Sequence, residues 1–201
     1  MNIGFLASHG GSNMQAIIDA CKAGRLHAAP VVVISNNGDS RALERARTEG
    51  IPGYHLSGLT HPDPESLDKA ILDTLLSHKV DVVALAGYMK KLGPRTLARF
   101  KGRILNIHPA LLPKHGGKGM WGMHVHEAVI ASGETESGAT VHLVDEEYDR
   151  GPILAQVHVP VMPGDTPETL AARVLIQEHI IYPATLEKIA MGEIVLTGEN
   201  R

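Results

Sequence analysis

Cysteine is almost missing from this chain: Cys21 is the only one among 201 residues. A lone thiol excludes an internal disulfide and fits a reducing compartment. Aromatic residues make up 3% of the sequence, so aliphatic side chains must carry the core. No uninterrupted apolar run approaches the roughly 20 residues that a membrane-crossing helix needs. The apolar run Ile3 to Ala7 has no basic stretch before it, which argues against a secretory signal. Neither sign of charge dominates. A formal charge of −3 gives no support to a nucleic-acid-coating or membrane-surface role. The first glycine-bearing turn, Ser8 to Asn13, matches neither GxGxxG nor GxxxxGK[ST], and HExxH, CxxC and GxSxG are absent, which disfavours dinucleotide, Walker-type, zinc-protease and nucleophile-elbow chemistry. The expectation is a soluble, cytoplasmic protein.

What is present reads as one α/β domain over residues 1–201. The hydrophobic fraction of 43% is ordinary for a globular chain, and no repeat or linker interrupts it. Asn2 to Ala7 reads as a strand, Ser8 to Asn13 as a glycine-bearing turn and Met14 to Ala23 as a helix. Pro30 to Ser35 is a continuous apolar run, as expected of a strand buried on both faces. A helix over 41–49, a strand over 53–56, a helix from Pro64 to about His78 capped by Asp63, and a strand over 80–86 follow. Gly93-Pro94 opens a helix to about Phe100, and a strand leads into Asn106-Ile107-His108-Pro109. These strand–helix alternations predict βαβ units in a doubly wound, mostly parallel sheet. Beyond a glycine-rich loop (114–123) and a helix (124–132), two strands over 137–144 and 152–161 predict an antiparallel C-terminal edge. A long helix from Thr166 to about Met191 and a strand fragment over 193–196 complete the chain.

Asn106 and His108 alternate onto one face of their strand, roughly 7 Å apart, where Pro109 ends it. An amide donates to a developing oxyanion, and an imidazole exchanges protons near neutral pH. Ligands in open α/β sheets bind outside the carboxyl ends of the strands. A structural hydrogen-bonding pair is the plain alternative. Gly11, Ser12 and Asn13 open the first helix, whose free N–H groups and dipole suit an anion; a simple cap by Ser12 or Asn13 is the alternative. The turn Asp145 to Asp149 supplies four carboxylates. Arg150-Gly151-Pro152 constrains Asp149, and a carboxylate beside His108 favours its protonated form. His115, His124, His126 and His142 raise a metal reading, which their spacing disfavours.

Several segments occur in order and at matching spacing. They are Gly11 to Ile17, Ser35-Asn36, Asp81 to Met89, Leu105 to Pro113, Tyr148 to Ile153, and Gln177-Glu178-His179 with Tyr182-Pro183. On these residues the chain resembles the phosphoribosylglycinamide formyltransferase family, the folate-dependent transformylases of purine biosynthesis. The resemblance implies a Rossmann-like formyltransferase fold and transfer from 10-formyltetrahydrofolate to glycinamide ribonucleotide. It implies Asn106, His108 and Asp149 as the catalytic set, and Gly11, Ser12 and Asn13 as the phosphate turn. It implies Glu178 on the ribose hydroxyls and Met89, Lys90, Lys91 and Leu92, with Asn106, around the folate. It implies no metal and no nucleic-acid or membrane partner, for a monomer or homodimer.

Three departures from the family pattern carry expectations. The Gly116–Gly122 stretch is long, and Lys114 or Lys118 is expected near the phosphate. Leu175 stands where some relatives have a polar or basic residue. Thr60 to Pro64 lacks an arginine for the folate tail. Formyltetrahydrofolate hydrolase and a non-catalytic nucleotide- or folate-binding module are the other readings. A methionyl-tRNA formyltransferase is disfavoured by the absence of a further C-terminal domain and of a basic surface.

Overall fold

Successive residues of a buried strand face opposite layers, and β1 (Asn2–Ala7) divides its side chains in that way. Phe5 and Ala7 enter one hydrophobic cluster and Leu6 the other. The computed structural model describes residues 1–196; residues 197–201 of the expected domain lie outside the described residues. After β1 come α1 (Ser12–Lys22), β2 (Ala29–Ser35), α2 (Arg41–Thr48), β3 (Gly53–His55), α3 (Pro64–Ser77), β4 (Val82–Leu85) and α4 (Pro94–Arg99). Next are β5 (Ile104–His108), α5 (Met123–Ala131), β6 (Glu136–Leu143), β7 (Ile153–Pro160) and α6 (Pro167–Ala190).

The strands form one seven-stranded sheet in the order β3-β2-β1-β4-β5-β6-β7. Pairing is parallel from β3 across to β5 and antiparallel for β5–β6 and β6–β7. The doubly wound sheet with an antiparallel C-terminal edge is therefore the observed fold. The chain winds outward from β1 to β3, then restarts at β4 on the other side of β1. That reversal opens a crevice at the carboxyl ends of β1 and β4, where such folds bind ligands.

One cluster packs β1 and its neighbours under α1, α2, α5 and α6, and includes Met14, Val129, Val174 and Tyr182. The other packs the opposite face under α3 and α4, around Ile71, Leu75 and Phe100. Phe5, Phe100 and Tyr182 are fully buried and the remainder of both cores is almost wholly aliphatic. Asp63 caps α3 by accepting from Ser66 N–H, and Thr166 opens α6 with a capping box. Pro183 sits inside α6 and cannot donate to the His179 carbonyl; the helix nonetheless continues, because Tyr182, Pro183 and Leu186 are buried against the sheet.

Two boundaries differ from expectation. Helix α1 begins at Ser12, with Gly11 as N-cap and no side-chain cap, so Ser12 and Asn13 belong to the helix. Residues 193–196 form no strand. Glu193 and Ile194 instead donate their N–H groups to the Lys188 carbonyl at the end of α6.

Candidate active site

Strand β5 delivers the two polar groups at its carboxyl end. His108 is buried and Asn106 half-buried, while Leu105 and Ile107 enter the core on the other face. The antiparallel register of β6 sets His142 opposite Asn106 and Thr140 opposite His108. Asn106 Nδ2 lies 3.1 Å from His142 Nε2. His142 Nδ1 donates to the Leu143 carbonyl at 2.9 Å, so in the neutral ring Nε2 is the acceptor. A carboxamide carries two N–H donors, which leaves one on Asn106 for a ligand.

Asp149 comes from the turn between β6 and β7 and stands between the two rings. Its Oδ2 is 3.6 Å from His108 Nδ1 and its Oδ1 is 3.5 Å from His142 Nε2. Oδ2 also accepts the Gly117 N–H at 2.9 Å. Two local features aim this carboxylate. Asp149 holds φ +57°, a left-handed conformation that Asp tolerates better than most residues. Gly151 presses on β6 so closely that a Cβ would lie 1.8 Å from the Leu143 carbonyl oxygen, so only glycine fits.

The glycine-rich loop closes over this group. His108 Nε2 donates to the His115 carbonyl at 2.8 Å, and His115 holds φ +53°. Gly116 packs within 3.2 Å, measured from a would-be Cβ, of the Asp149 Cβ. Burial pushes the His108 pKa below its ordinary value, with Asp149 and the His115 carbonyl opposing the shift. As expected, the neighbouring carboxylate acts to favour the protonated form of His108, but desolvation is the larger effect and the net shift is downward. A second proton on Nδ1 would nevertheless face Asp149. Burial acts to raise the Asp149 carboxyl, but the His142 and His108 rings and Gly117 N–H outweigh it and hold it low.

At the switch point, Gly11 holds φ +64°. Asn13, on the first turn of α1, donates from Nδ2 to Glu178 Oε2 of α6 at 2.6 Å, and its buried Oδ1 has no partner. Burial raises the Glu178 pKa, partly offset by Asn13. Lys90, Lys91 and Leu92 line a narrow cleft of about 90 Å³ that also holds Asn106, His142 and Asp149. Met89 is absent from that lining: its side chain is exposed, and its N–H donates to Ser8 Oγ at 2.7 Å. Lys114 Nζ is paired with Glu134 at 3.0 Å. Leu175 is exposed on α6.

Comparison with known proteins follows the same outline. The formyl transferase family matches residues 1–186. The chain belongs to the formyl transferase family. It is 41% identical over 194 residues to the phosphoribosylglycinamide formyltransferase of Escherichia coli (strain K12), covering 96% of this chain and 89% of that protein. It is 46% identical to the chloroplastic phosphoribosylglycinamide formyltransferase of Vigna unguiculata, covering 94% of this chain and 60% of that longer protein. The crystal structure of glycinamide ribonucleotide transformylase 1 from Symbiobacterium toebii superposes with a TM-score of 0.91 at 40% identity, covering 98% of this chain and 91% of that one. Among the described residues, no helix of this formyl transferase is long and apolar enough to cross a membrane.

Sequence reasoning overlooked two residues of this formyl transferase site. His142 entered only as a disfavoured metal ligand, yet it touches both Asn106 and Asp149; its neighbourhood depends on the β5–β6 register. Ser8 Oγ accepts from Met89 and donates to Asn36 Oδ1 at 2.6 Å. The sole hint was a small polar residue directly after the first buried strand.

Proposed function

We propose that this formyl transferase moves the formyl group of 10-formyltetrahydrofolate to the amine of glycinamide ribonucleotide in purine biosynthesis, acting as a single domain over residues 1–201. The observation that carries the reading is Asp149 standing between His108 and His142, with Asn106 bonded to His142, in a chain with relatives matched over most of its length and named for this reaction. In the proposed assignment Gly11, Ser12 and Asn13 take the phosphate and Glu178 the ribose hydroxyls. Met89, Lys90, Lys91, Leu92 and Asn106 border the folate, with Met89 contributing to the loop's shape through its tie to Ser8.

The amine attacks the formyl carbon, and the carbonyl electron pair moves onto the formyl oxygen. Asn106, through its spare N–H, and His108 stabilise that oxygen. His108 Nε2 is the donor already aimed at a carbonyl oxygen, that of His115, and the formyl oxygen replaces it. As negative charge grows, the proton released by the amine passes to His108 Nδ1, which Asp149 faces, before it moves on to the leaving nitrogen. The tetrahedral intermediate then breaks its bond to N10 of the folate. The proton lost by the amine is the one that N10 gains. Both partners are small molecules, and no metal, nucleic acid or membrane takes part. A cytoplasmic setting suits the single thiol, Cys21, which burial pushes up to about 11.

Incubation with 10-formyltetrahydrofolate, with and without glycinamide ribonucleotide, tests the reading. Turnover that requires the ribonucleotide is expected. Release of formate at the same rate without it would replace transfer by hydrolysis, and binding without turnover would leave only a binding module.

A further inference from the structure

The turn between β1 and α1 is braced from behind by α2. The Ala42 N–H donates to the His9 carbonyl at 3.0 Å, and Arg45 Nε donates to the Gly10 carbonyl at 3.0 Å. In a trans peptide the C=O and the following N–H point in opposite directions. Tying these two carbonyls towards α2 therefore turns the N–H groups of Gly10 and Gly11 away from it. Gly11 rests on α2 itself: a Cβ added there would lie 3.0 Å from the Ala42 Cβ. The first tie is backbone and survives most substitutions at 42. The second depends on one side chain.

Arg45 is held for that task. Its Nη1 donates to Gln15 Oε1 at 3.2 Å, and Gln15 Nε2 donates to Glu49 Oε1 at 2.9 Å. Its charge reaches α6 as well: after burial, Arg45 is the second cause that lowers the pKa of His179, the neighbour of Glu178. Beside the turn, Asn13 is 8% exposed and its Oδ1 has no partner. The turn thus combines outward N–H groups, an unsatisfied buried amide oxygen and a cation behind it.

We propose that Arg45 is a positioning residue for the ribonucleotide phosphate: it locks the Gly10 peptide so that the turn's N–H groups face the anion, and its charge favours that anion from behind. The inference rests on the reading that Gly11, Ser12 and Asn13 hold this phosphate. Arg45 acts through the peptide and the field, without touching the substrate.

Steady-state kinetics with two acceptors test it. With glycinamide ribonucleotide, Arg45→Ala is expected to raise the acceptor KM about tenfold, the effect of losing one oriented, charge-assisted bond. The kcat and the KM for 10-formyltetrahydrofolate should stay within about twofold. Arg45→Lys keeps the charge without the planar Nε–H, and should fall between wild type and Arg45→Ala. With glycinamide ribonucleoside, which lacks the 5′-phosphate, wild type and both variants should share one kcat/KM. Equal losses on the two acceptors would mark Arg45 as merely structural and overturn the inference, as would an unchanged KM in a folded Arg45→Ala protein. A wild-type protein that transfers formyl to the ribonucleotide no faster than to the ribonucleoside would instead remove the phosphate reading on which it stands.

Discussion

At the scale of single residues, the proposed reaction rests on two donors and one carboxylate, and Asn106 and Asp149 have separable signatures. Asn106→Ala removes a proposed donor to the formyl oxygen. Loss of one such donor costs about 3–4 kcal/mol of barrier, so kcat should fall roughly 10²- to 10³-fold with both KM values little changed; a KM effect without a kcat effect would reassign Asn106 to binding. Asp149→Asn tests electrostatics rather than contact. Burial depresses the His108 pKa and Asp149 opposes it, so deleting the charge should drive that pKa lower still. An NMR titration of the His108 ring checks this, and a pKa that rose in the variant would refute the assignment of Asp149 as its counter-charge. The Asn106–His108 pair was legible from strand alternation alone. Asp149 was not, because four carboxylates share its turn and only its backbone angle and the contact at Gly151 select one.

At the scale of elements, the site is a product of strand pairing. Register between β5 and β6 sets His142 against Asn106, and a one-residue slip would turn His142 to the other face. Helix α6 supports the same strands from below. Tyr182 is fully buried, its hydroxyl donating to the carbonyls of Leu85 in β4 and Leu105 in β5 at 3.2 and 3.0 Å. Tyr182→Phe leaves those carbonyls without this donor and should destabilise the fold by about 1–3 kcal/mol. A urea denaturation midpoint equal to wild type would show that the sheet ladder already satisfies both carbonyls. Element identity and order were readable because hydrophobic runs, caps and prolines are local signals. The strand fragment expected over 193–196 failed because Glu193 and Ile194 give their N–H groups to the Lys188 carbonyl at the end of α6.

At the scale of the whole molecule, folding buries histidines in their neutral form. His108, His126 and His179 all have lowered pKa values, with burial the first cause in each. A His whose folded pKa lies below its unfolded value near 6.5 contributes stability that is complete above that value. This stability is lost as pH falls through the folded pKa. Glu178 works in the opposite sense, since its raised pKa adds stability that is lost as pH rises. The expected balance is a Tm that declines from about pH 7 to about pH 5, and more steeply in Glu178→Gln, where the opposing group is gone. Calorimetry across that range would contradict the account if Tm held level in both proteins.

By itself the sequence determined the alternation of strands and helices, the parallel sheet with its antiparallel edge, the aliphatic core and the Asn106–His108 face. These follow from periodicity and from the conformational limits of proline and glycine, which act within a few residues. Periodicity left four carboxylates open and only the family resemblance singled out Asp149; the tertiary structure alone decided that His142 joins the group, that Glu178 reaches Asn13, and that desolvation outweighs Asp149 in setting the His108 pKa. Each of those depends on distance and burial between segments far apart in the chain, quantities that exist only once the sheet has closed its register.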